Sequence, residues 1–349
     1  MGNRVNHRVS FFGDAFLDRP VNVKLDPSEL GDLVVINLEA PVTDSSSPVP
    51  GKIHLKTSEC FLRRTFPGVP LLASVANNHI MDYGEQGLAD TLQELQQDSI
   101  EVCGAGGEAD NFQNPRIMAV GPHLVAFLSY CGPTGQAQTP GAVTGVAPLD
   151  FERVRRDVEQ ARDNNATHIV VAIHWGVLEV SLPRPRDVEM SKEIVSLGVD
   201  LIVGHHSHCI QSFGRFEDVT VCFGLGNFFF PDIDIAYRSK NGDPMRCRKK
   251  QRSWNDASMW VSFDLDRREA SVRKIYRRGE TVVASSKSCQ SYFRDFTRHP
   301  VLSAEFQRAV AVGQARAAIA SYFARPKLPR LRHAQTLFKL ISGQKRYCK

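Results

Sequence analysis

The amino-acid sequence predicts an α/β fold in which buried strands alternate with helices. Over the first 230 residues, short runs rich in Val, Ile, Leu and Phe alternate with longer segments whose apolar residues recur at helical spacing. Several of the short runs are apolar without interruption, as in Leu33-Val34-Val35-Ile36. Such runs are typical of strands covered on both faces by other layers, and 349 residues are enough to bury a sizeable core.

The first part of the chain contains eight short apolar segments that we predict to be strands, and three amphipathic segments that we predict to be helices. The predicted strands are Arg8 to Gly13, Leu33 to Asn37, Leu71 to Val75, Ile100 to Cys103, Leu124 to Ser129, His168 to His174, Asp200 to Val203 and Thr220 to Phe223. The predicted helices are Gly84 to Asp98, Asp150 to Asn164 and Arg186 to Leu197.

The character of the sequence changes after Phe230. Two alternating runs, Ala257 to Asp266 and Ala270 to Arg277, predict a hairpin. A helix is predicted from Val301 to Phe323.

We therefore divide the chain into three parts. They are a main domain over 1–280, a helical extension over 281–324 and a basic tail over 325–349.

The net charge of +5 is unevenly placed along the chain. The tail carries eight Lys and Arg and no acid, which leaves 35 basic and 38 acidic residues before it. A second basic run extends from Arg238 to Arg252, and we expect both runs to be solvated loops or tails. The tail is also a candidate contact for an anionic membrane surface or an assembly partner. No nucleic-acid-binding motif accompanies the basic runs, so we do not expect a nucleic-acid partner.

The N-terminal residues, Met1 to Val9, contain no apolar run long enough for a secretory signal or an anchor. We therefore expect a cytoplasmic protein, in which the tail could approach the inner face of the membrane. Eight scattered cysteines without C-x-x-C spacing favour reduced, buried thiols over disulfides. Cys209, beside a histidine cluster, fits either core packing or a ligand role.

Polar residues that can bind metals follow five of the predicted strands. Ligands of open α/β sheets gather at the carboxyl ends of strands, so these residues are expected to converge on one point. Taken singly, each set has a plainer interpretation as a turn, a surface acid or a core histidine. The sets are Asp14, Glu39, Asn77-Asn78-His79, His174 and His205-His206-Ser207-His208.

The donor chemistry of these sets indicates a two-metal site. Carboxylates, an Asn oxygen and three imidazoles suit Mn, Fe or Zn, and are too rich in nitrogen for a dedicated Mg or Ca site. A carboxylate such as Glu39 can bridge two cations and so help to activate water near neutral pH. His79, next to Asn78, could protonate a leaving group or hold developing negative charge. We expect two divalent metal ions, with both imidazoles of His206 and His208 reaching them if the chain turns there.

Six motifs between about residues 8 and 230 occur in an order that matches a known family. The motifs are Gly13-Asp14, Asn37-Leu38-Glu39-Ala40-Pro41, Ala76-Asn77-Asn78-His79 with Asp82-Tyr83-Gly84 and Gly87, His174-Trp175-Gly176, Gly204-His205-His206-Ser207-His208 and Gly224-Leu225-Gly226-Asn227-Phe228. Together they resemble the bacterial CapA family of capsule and poly-γ-glutamate synthesis proteins, a branch of the calcineurin-like metallophosphoesterases.

The resemblance implies a four-layer α/β/β/α sandwich and assigns roles to individual residues. Asp14 would bind the first metal with His208, and Glu39 would bridge the two metals. The implied ligands of the second metal are Asn78, His174 and His206. His79 would be the catalytic histidine, and supporting or alternative ligand positions fall on His205, Asn77 and Asn227.

Three features depart from the family pattern. Phe16 occupies the position of a usual His, which predicts a weaker or empty first metal position. Glu39 replaces the usual bridging Asp, which lengthens the reach by one methylene. Capsule-associated members resemble membrane-anchored proteins, and no anchor is visible in this sequence.

Three functions are compatible with these observations. The first is a metal-dependent hydrolase that acts on a phosphoester or an amide in capsule, poly-γ-glutamate or related polymer or metabolite synthesis. The second is a non-catalytic accessory protein of a capsule-type machine. The third is a metal-dependent acyl or phosphoryl transferase or ligase. The substrate, a small molecule or a polymer, is not readable from the sequence, although Tyr130 to Val146 and Arg238 to Arg252 are expected to wall its pocket.

Overall fold

A computed structural model describes residues 7–133 and 144–324 of the chain. The basic tail, 325–349, therefore lies outside the described residues, as does the middle of the predicted pocket wall between Tyr130 and Val146. Within the described ranges, no helix is both long and apolar enough to cross a membrane.

The described residues form strands and helices in the order β1 (Arg8–Ala15), β2 (Asn22–Lys24), α1 (Pro27–Leu30), β3 (Leu33–Leu38), α2 (Leu62–Thr65), β4 (Leu71–Ser74), α3 (Gly84–Gln97), β5 (Glu101–Cys103), β6 (Ala105–Gly107), β7 (Arg116–Val120), β8 (His123–Cys131), β9 (Thr144–Val146), α4 (Phe151–Asp163), β10 (His168–His174), α5 (Pro185–Ser196), β11 (Leu201–His205), β12 (Phe213–Phe216), β13 (Val219–Cys222), β14 (Asn227–Phe229), β15 (Ile233–Arg238), β16 (Pro244–Lys249), β17 (Ala257–Asp264), β18 (Glu269–Arg278), β19 (Thr281–Ala284) and α6 (Ser303–Ala324).

Two large sheets carry the fold. The nine-stranded sheet has the order β2-β19-β18-β17-β1-β3-β4-β5, and β14 pairs additionally with β1. The six-stranded sheet has the order β12-β13-β11-β10-β8-β7. The site-bearing strands β1, β3 and β4 run parallel to one another, as do β10 and β11, so their carboxyl ends meet at one edge of each sheet.

Three apolar cores separate four layers. The core between the sheets combines residues such as Phe11 and Val35 of one sheet with Phe127 and Val170 of the other. The outer face of the nine-stranded sheet packs against helices that include α3, and the outer face of the six-stranded sheet packs against α4 and α5. The predicted α/β/β/α sandwich is therefore confirmed, because each sheet buries one face on the other sheet and one on helices.

A register shift in β1 prepares the site. The pairing of β1 with β3 runs evenly to Phe12, then shifts so that Asp14 lies opposite Asn37. At the shift, Gly13 lies against the backbone of Gly226, and a Cβ atom at Gly13 would lie 1.8 Å from the carbonyl oxygen of Gly226. Only a residue without a side chain allows this close approach of two backbones.

The basic run after Phe230 differs from the sequence expectation. The basic run that we expected to be a loop forms the exposed hairpin β15–β16, in which Asp234 pairs with both Arg246 and Arg248. The prediction of a loop rested on the many charged residues, but cross-strand ion pairs between such residues can stabilise a solvated hairpin. The predicted hairpin of β17 and β18 is present, and the nine-stranded sheet continues past residue 280 to Ala284.

Candidate metal centre

The predicted ligand residues come together at the carboxyl ends of strands from both sheets. The nine-stranded sheet supplies the oxygen donors Asp14, Glu39 and Asn78, which lie at or just beyond the ends of β1, β3 and β4. The six-stranded sheet supplies the imidazoles, with His174 at the end of β10 and the His205–His208 segment at the end of β11. The structure therefore gathers all five predicted sets of polar residues, although they come from distant parts of the sequence.

Asp14, Glu39 and His208 form the first triad of donors. Nδ1 of His208 lies 3.3 Å from Oδ2 of Asp14, and Nε2 of His208 lies 3.4 Å from Oε1 of Glu39. One ligand atom from each residue fits within 4.8 Å of the other two. All three side chains are buried, as expected for ligands that share one cation.

Asn78, His174 and His206 form the second triad. Nε2 of His174 lies 2.7 Å from Oδ1 of Asn78 and 3.1 Å from Nδ1 of His206. Burial lowers the pKa of His174 well below its usual range and that of His206 to about 3. Both imidazoles are therefore neutral near pH 7, which is the form that binds metals.

The chain turns at the histidine cluster, which is the condition for the side chains of both His206 and His208 to reach the metal centre. His206 has a φ of +85° and His208 a φ of +52°, so both non-glycine residues adopt left-handed conformations. Such conformations are rare and costly, and they concentrate at functional sites. The two turns allow His206 to face His174 while His208 faces the carboxylates.

Asp14 is held in place by donors from both sheets. Its Oδ1 accepts a hydrogen bond from Nδ2 of Asn37 at 2.9 Å and lies 3.1 Å from Nδ1 of His205. Its Oδ2 accepts a hydrogen bond from the backbone N–H of His206 at 3.1 Å. Burial acts to raise the pKa of Asp14, but hydrogen bonds and charges from His205 and His208 outweigh it and hold that pKa well below its usual range.

Glu39 is buried without comparable support. Neither of its carboxyl oxygens has a hydrogen-bond partner among the described residues. Burial raises its pKa well above the usual range, the charge of Asp14 raises it further, and the charge of Lys249 opposes both. A buried carboxyl group without a hydrogen bond is costly, and a cation is the compensation that fits its position beside Asp14 and His208. The residues present therefore fit divalent metal ions.

His79 lies beside the second triad and is oriented by a neighbouring acid. Its Nδ1 lies 2.7 Å from Oδ2 of Asp82, a fully buried residue. Nζ of Lys52 lies 2.5 Å from the other oxygen of Asp82 and also donates to the backbone carbonyl of Asn78. The position of His79 relative to Asn78 is thus fixed by a charged, buried network.

The residues predicted as supporting or alternative ligands have distinct contacts. The Asn77 oxygen accepts hydrogen bonds from the backbone N–H groups of His79 and Ile80, so it shapes the turn. Asn227 places its Oδ1 2.8 Å from Nδ1 of His208. His205 contacts Asp14 rather than the second triad, and each of these residues orients a neighbour of the centre.

Phe16 belongs to an apolar wall beside the first triad. It packs edge-on against Phe230, and the ring of Phe230 lies 4.7 Å from that of His208. Ala40 and Leu55 complete this cluster. An apolar surface thus stands where the family pattern has an imidazole, and it packs against the ring of His208.

Sequence reasoning missed four residues of the centre. Asn37 and Asp82 were visible within the quoted motifs, and the spacing of Asp82 three residues after His79 could have indicated their contact. Lys52 gave no signal, because it reaches the site from a separate loop. Lys249 lies within the basic run that was expected to wall the pocket, but its effect on Glu39 was not anticipated. Cys209 does not join either triad; burial raises the pKa of its thiol to about 12, which favours the packing interpretation.

A family model and several individual proteins that match this chain all point to the same family. The family model described as bacterial capsule synthesis protein PGA_cap matches residues 9–232. The capsule biosynthesis protein CapA of Bacillus anthracis is 29% identical over 242 residues, which cover 66% of this chain and 57% of that protein. The PGA biosynthesis protein CapA of Bacillus subtilis (strain 168) is 30% identical over 203 residues, covering 57% and 53%.

A more distant relative is the probable polyglutamine synthesis accessory protein Rv0574c of Mycobacterium tuberculosis (strain ATCC 25618 / H37Rv). It is 26% identical over 212 residues, which cover 56% of this chain and 55% of that protein. The chain thus spans about half the length of the curated relatives it matches. Since the family model covers well over half of the sequence, including every residue of both triads, the chain belongs to the bacterial capsule synthesis protein family.

Proposed function

We propose that this chain is a dinuclear metal-dependent hydrolase that cleaves a phosphoester or an amide in the synthesis of a capsule, a poly-γ-glutamate or a related polymer or metabolite. The observation that carries the proposal is Glu39, a fully buried carboxyl group without a hydrogen-bond partner among the described residues. It belongs to the triad with Asp14 and His208, and a second triad of metal-binding side chains follows from the ends of neighbouring strands. The relatives' names supply the polymer class.

The two triads would divide the cations between them. Asp14, Glu39 and His208 would hold one, and Asn78, His174 and His206 would hold the other, with Glu39 shared. The mixed oxygen and nitrogen donors favour Mn, Fe or Zn. Cations bound in such a set polarise a phosphoryl or carbonyl oxygen and make water a better nucleophile near neutral pH.

The protein's own groups would then handle the proton and the substrate. With its Nδ1 bonded to Asp82, His79 has Nε2 available to give a proton to the leaving group. Lys52 neutralises Asp82 and so keeps this pair intact. The wall of Phe16 and Phe230 excludes water from one side, which strengthens the interactions of the charged ligands.

The test is to strip the full chain of metal with a chelator, reload it with Mn²⁺ and measure bound metal and cleavage of an aryl phosphate and a γ-glutamyl amide. We expect close to two cations per chain and cleavage of one substrate. His79→Gln should retain the metal and lower kcat by about 10²–10⁴-fold, the usual share of general acid–base catalysis. His206→Ala should lose metal and activity together.

His299→Gln is a matched control, since His299 is exposed and belongs to neither triad. A chain that binds no metal, or that keeps full activity in both His206→Ala and Asp14→Ala, would show that the centre is not catalytic. Metal binding without cleavage of either substrate would favour the second candidate, a non-catalytic accessory role. The printed name of the mycobacterial relative is the observation that supports this alternative.

A further inference from the structure

A second cluster of metal-binding side chains lies at the opposite end of the sandwich. His7 immediately precedes β1, His123 is the first residue of β8, and Asp266 lies in the turn between β17 and β18. Asp14 stands at the other end of β1, six residues after Arg8, which corresponds to about 20 Å along a strand. This cluster is therefore spatially separate from the two triads.

The donor atoms of the cluster have the spacing that a tetrahedral cation requires. Oδ1 of Asp266 lies 3.4 Å from Nδ1 of His7 and 3.0 Å from Nε2 of His123. One donor atom from each residue fits within 4.8 Å of the others. Zinc bonds of roughly 2.0–2.1 Å in a tetrahedral arrangement place neighbouring donors about 3.3 Å apart. Only small adjustments would seat the ion.

The three side chains are already oriented by their surroundings. The backbone N–H of His7 donates to Asp266 at 2.9 Å, which fixes the carboxylate. The ring of His7 lies directly over Gly121, where a Cβ atom would come within 2.0 Å of the ring. His123 packs edge-on against His168, whose Nε2 lies 2.9 Å from the carbonyl oxygen of Leu265. Such prearrangement lowers the cost of ordering ligands around an ion.

The chemistry of the cluster selects the kind of ligand. Two imidazoles and one carboxylate suit zinc and other first-row transition metals and are poor for Mg²⁺ or Ca²⁺. The side chains of His7, His123 and Asp266 are 22%, 18% and 36% exposed, so solvent can complete the coordination. His7 and Asp266 belong to the nine-stranded side, whereas His123 belongs to the six-stranded sheet.

We propose that His7, His123 and Asp266 form a zinc site that ties the two sheets together at the end remote from the catalytic centre. The site goes beyond the proposed hydrolysis, since it lies too far away to touch the same substrate atoms. An ion that binds the folded chain and not the unfolded chain stabilises the fold by an amount that grows with the logarithm of the free ion concentration relative to Kd. The same three residues are absent from the two triads, so each site can be removed without the other.

The experiment uses the full chain with Asp14→Ala and His206→Ala, which cripple both triads, as the background. After chelation, Zn²⁺ is titrated, and bound zinc and the thermal midpoint are measured. We expect this background protein to bind one zinc and to gain thermal stability with it. Adding His123→Gln or Asp266→Asn should abolish the zinc-dependent shift and weaken binding by at least about tenfold.

Co²⁺ in place of Zn²⁺ gives an independent measurement, because four-coordinate Co²⁺ absorbs visible light far more strongly than the hydrated ion. His299→Gln in the same background is the control and should bind zinc as the background does. Unchanged zinc binding and an unchanged thermal shift in both His123→Gln and Asp266→Asn would overturn the proposal and leave the cluster as a hydrogen-bonded group.

Circular dichroism of the stripped proteins establishes that each variant folds. If His123→Gln does not, Asp266→Asn decides, because it changes only a partly exposed turn residue. In the wild-type background, His123→Gln should leave Mn²⁺-dependent hydrolysis unchanged. A negative zinc result therefore does not contradict the proposed hydrolysis. Likewise, absence of hydrolysis does not change the result expected from the zinc titration.

Discussion

The ends of the neighbouring strands β1 and β3 each carry a fully buried carboxylate, yet the two are supported in opposite ways. Asp14 receives hydrogen bonds from Asn37 and from the backbone of His206, and it contacts His205. Glu39 receives none from the described residues. The protein holds the pKa of Asp14 low and allows that of Glu39 to rise.

This difference separates two tasks within one centre. The position of Asp14 is determined by the folded chain itself, so it can orient a cation from the moment of folding. Glu39 has no hydrogen bond from the described residues to fix its position, and its burial costs folding free energy in the absence of a positive charge. We infer that metal binding offsets the unfavourable burial of Glu39 after β3 and adds to the favourable contacts of Asp14 in β1.

The largest effect is expected at Glu39. Glu39→Met keeps the size of the side chain but removes the carboxylate that we propose is shared, so bound Mn²⁺ should fall from two to one or none. Loss of one cation removes several kcal/mol of transition-state stabilisation, and hydrolysis should drop by at least about a hundredfold. Metal analysis and kcat measure both. Glu108→Met, at an exposed glutamate, is the control, and full metal content in Glu39→Met would contradict the shared role.

The next effect concerns stability without metal, where the two carboxylates should differ in sign. In chelated protein, Asp14→Asn should lower the free energy of unfolding by roughly 1.5–3 kcal/mol, because hydrogen bonds to a charged group are weakened. Glu39→Met should raise it by about 1–3 kcal/mol, because an unpartnered buried polar group is removed. Urea unfolding in excess chelator measures both values. Shifts of the same sign would show that the contrast between the two positions is not energetic.

A smaller effect is expected at His205, which supports Asp14 without joining either triad. His205→Ala should weaken Mn²⁺ binding by about 10–100-fold, the usual cost of losing a group that orients a ligand, and should leave His79 chemistry intact at saturating metal. Metal titration monitored by activity measures this change. An affinity equal to that of wild type and of His299→Ala would show that the other partners of Asp14 suffice.

Much of the fold and of the candidate site could be predicted from local patterns. The strand from His168 to His174 was predicted to the residue, since uninterrupted apolar runs mark strands that are buried on both faces. The positions of Asp14 and His174 followed from the rule that ligands gather at the carboxyl ends of parallel strands. The turns at His206 and His208 were anticipated only as a condition for shared binding.

The remaining features depend on contacts between distant segments. The β15–β16 hairpin is stabilised by cross-strand pairs of Asp234 that have no signature in a basic run. Lys52 reaches Asp82 from a loop thirty residues upstream, and Asn37 meets Asp14 only because β1 shifts register at Gly13. Side-chain partners of this kind are set by tertiary packing, which local spacing does not encode.

Because one sheet supplies the oxygen donors and the other the nitrogen donors, metal affinity depends on the relative position in which the two sheets pack. That position is determined by the apolar core between them, where the rings of Phe11 and Phe127 lie 6.4 Å apart. A substitution in that core would alter the spacing of ligands that it never touches. Inheritance of a working centre therefore requires compatible core residues as well as intact ligands, and transplanting the six motifs alone into another sandwich would not transfer the affinity.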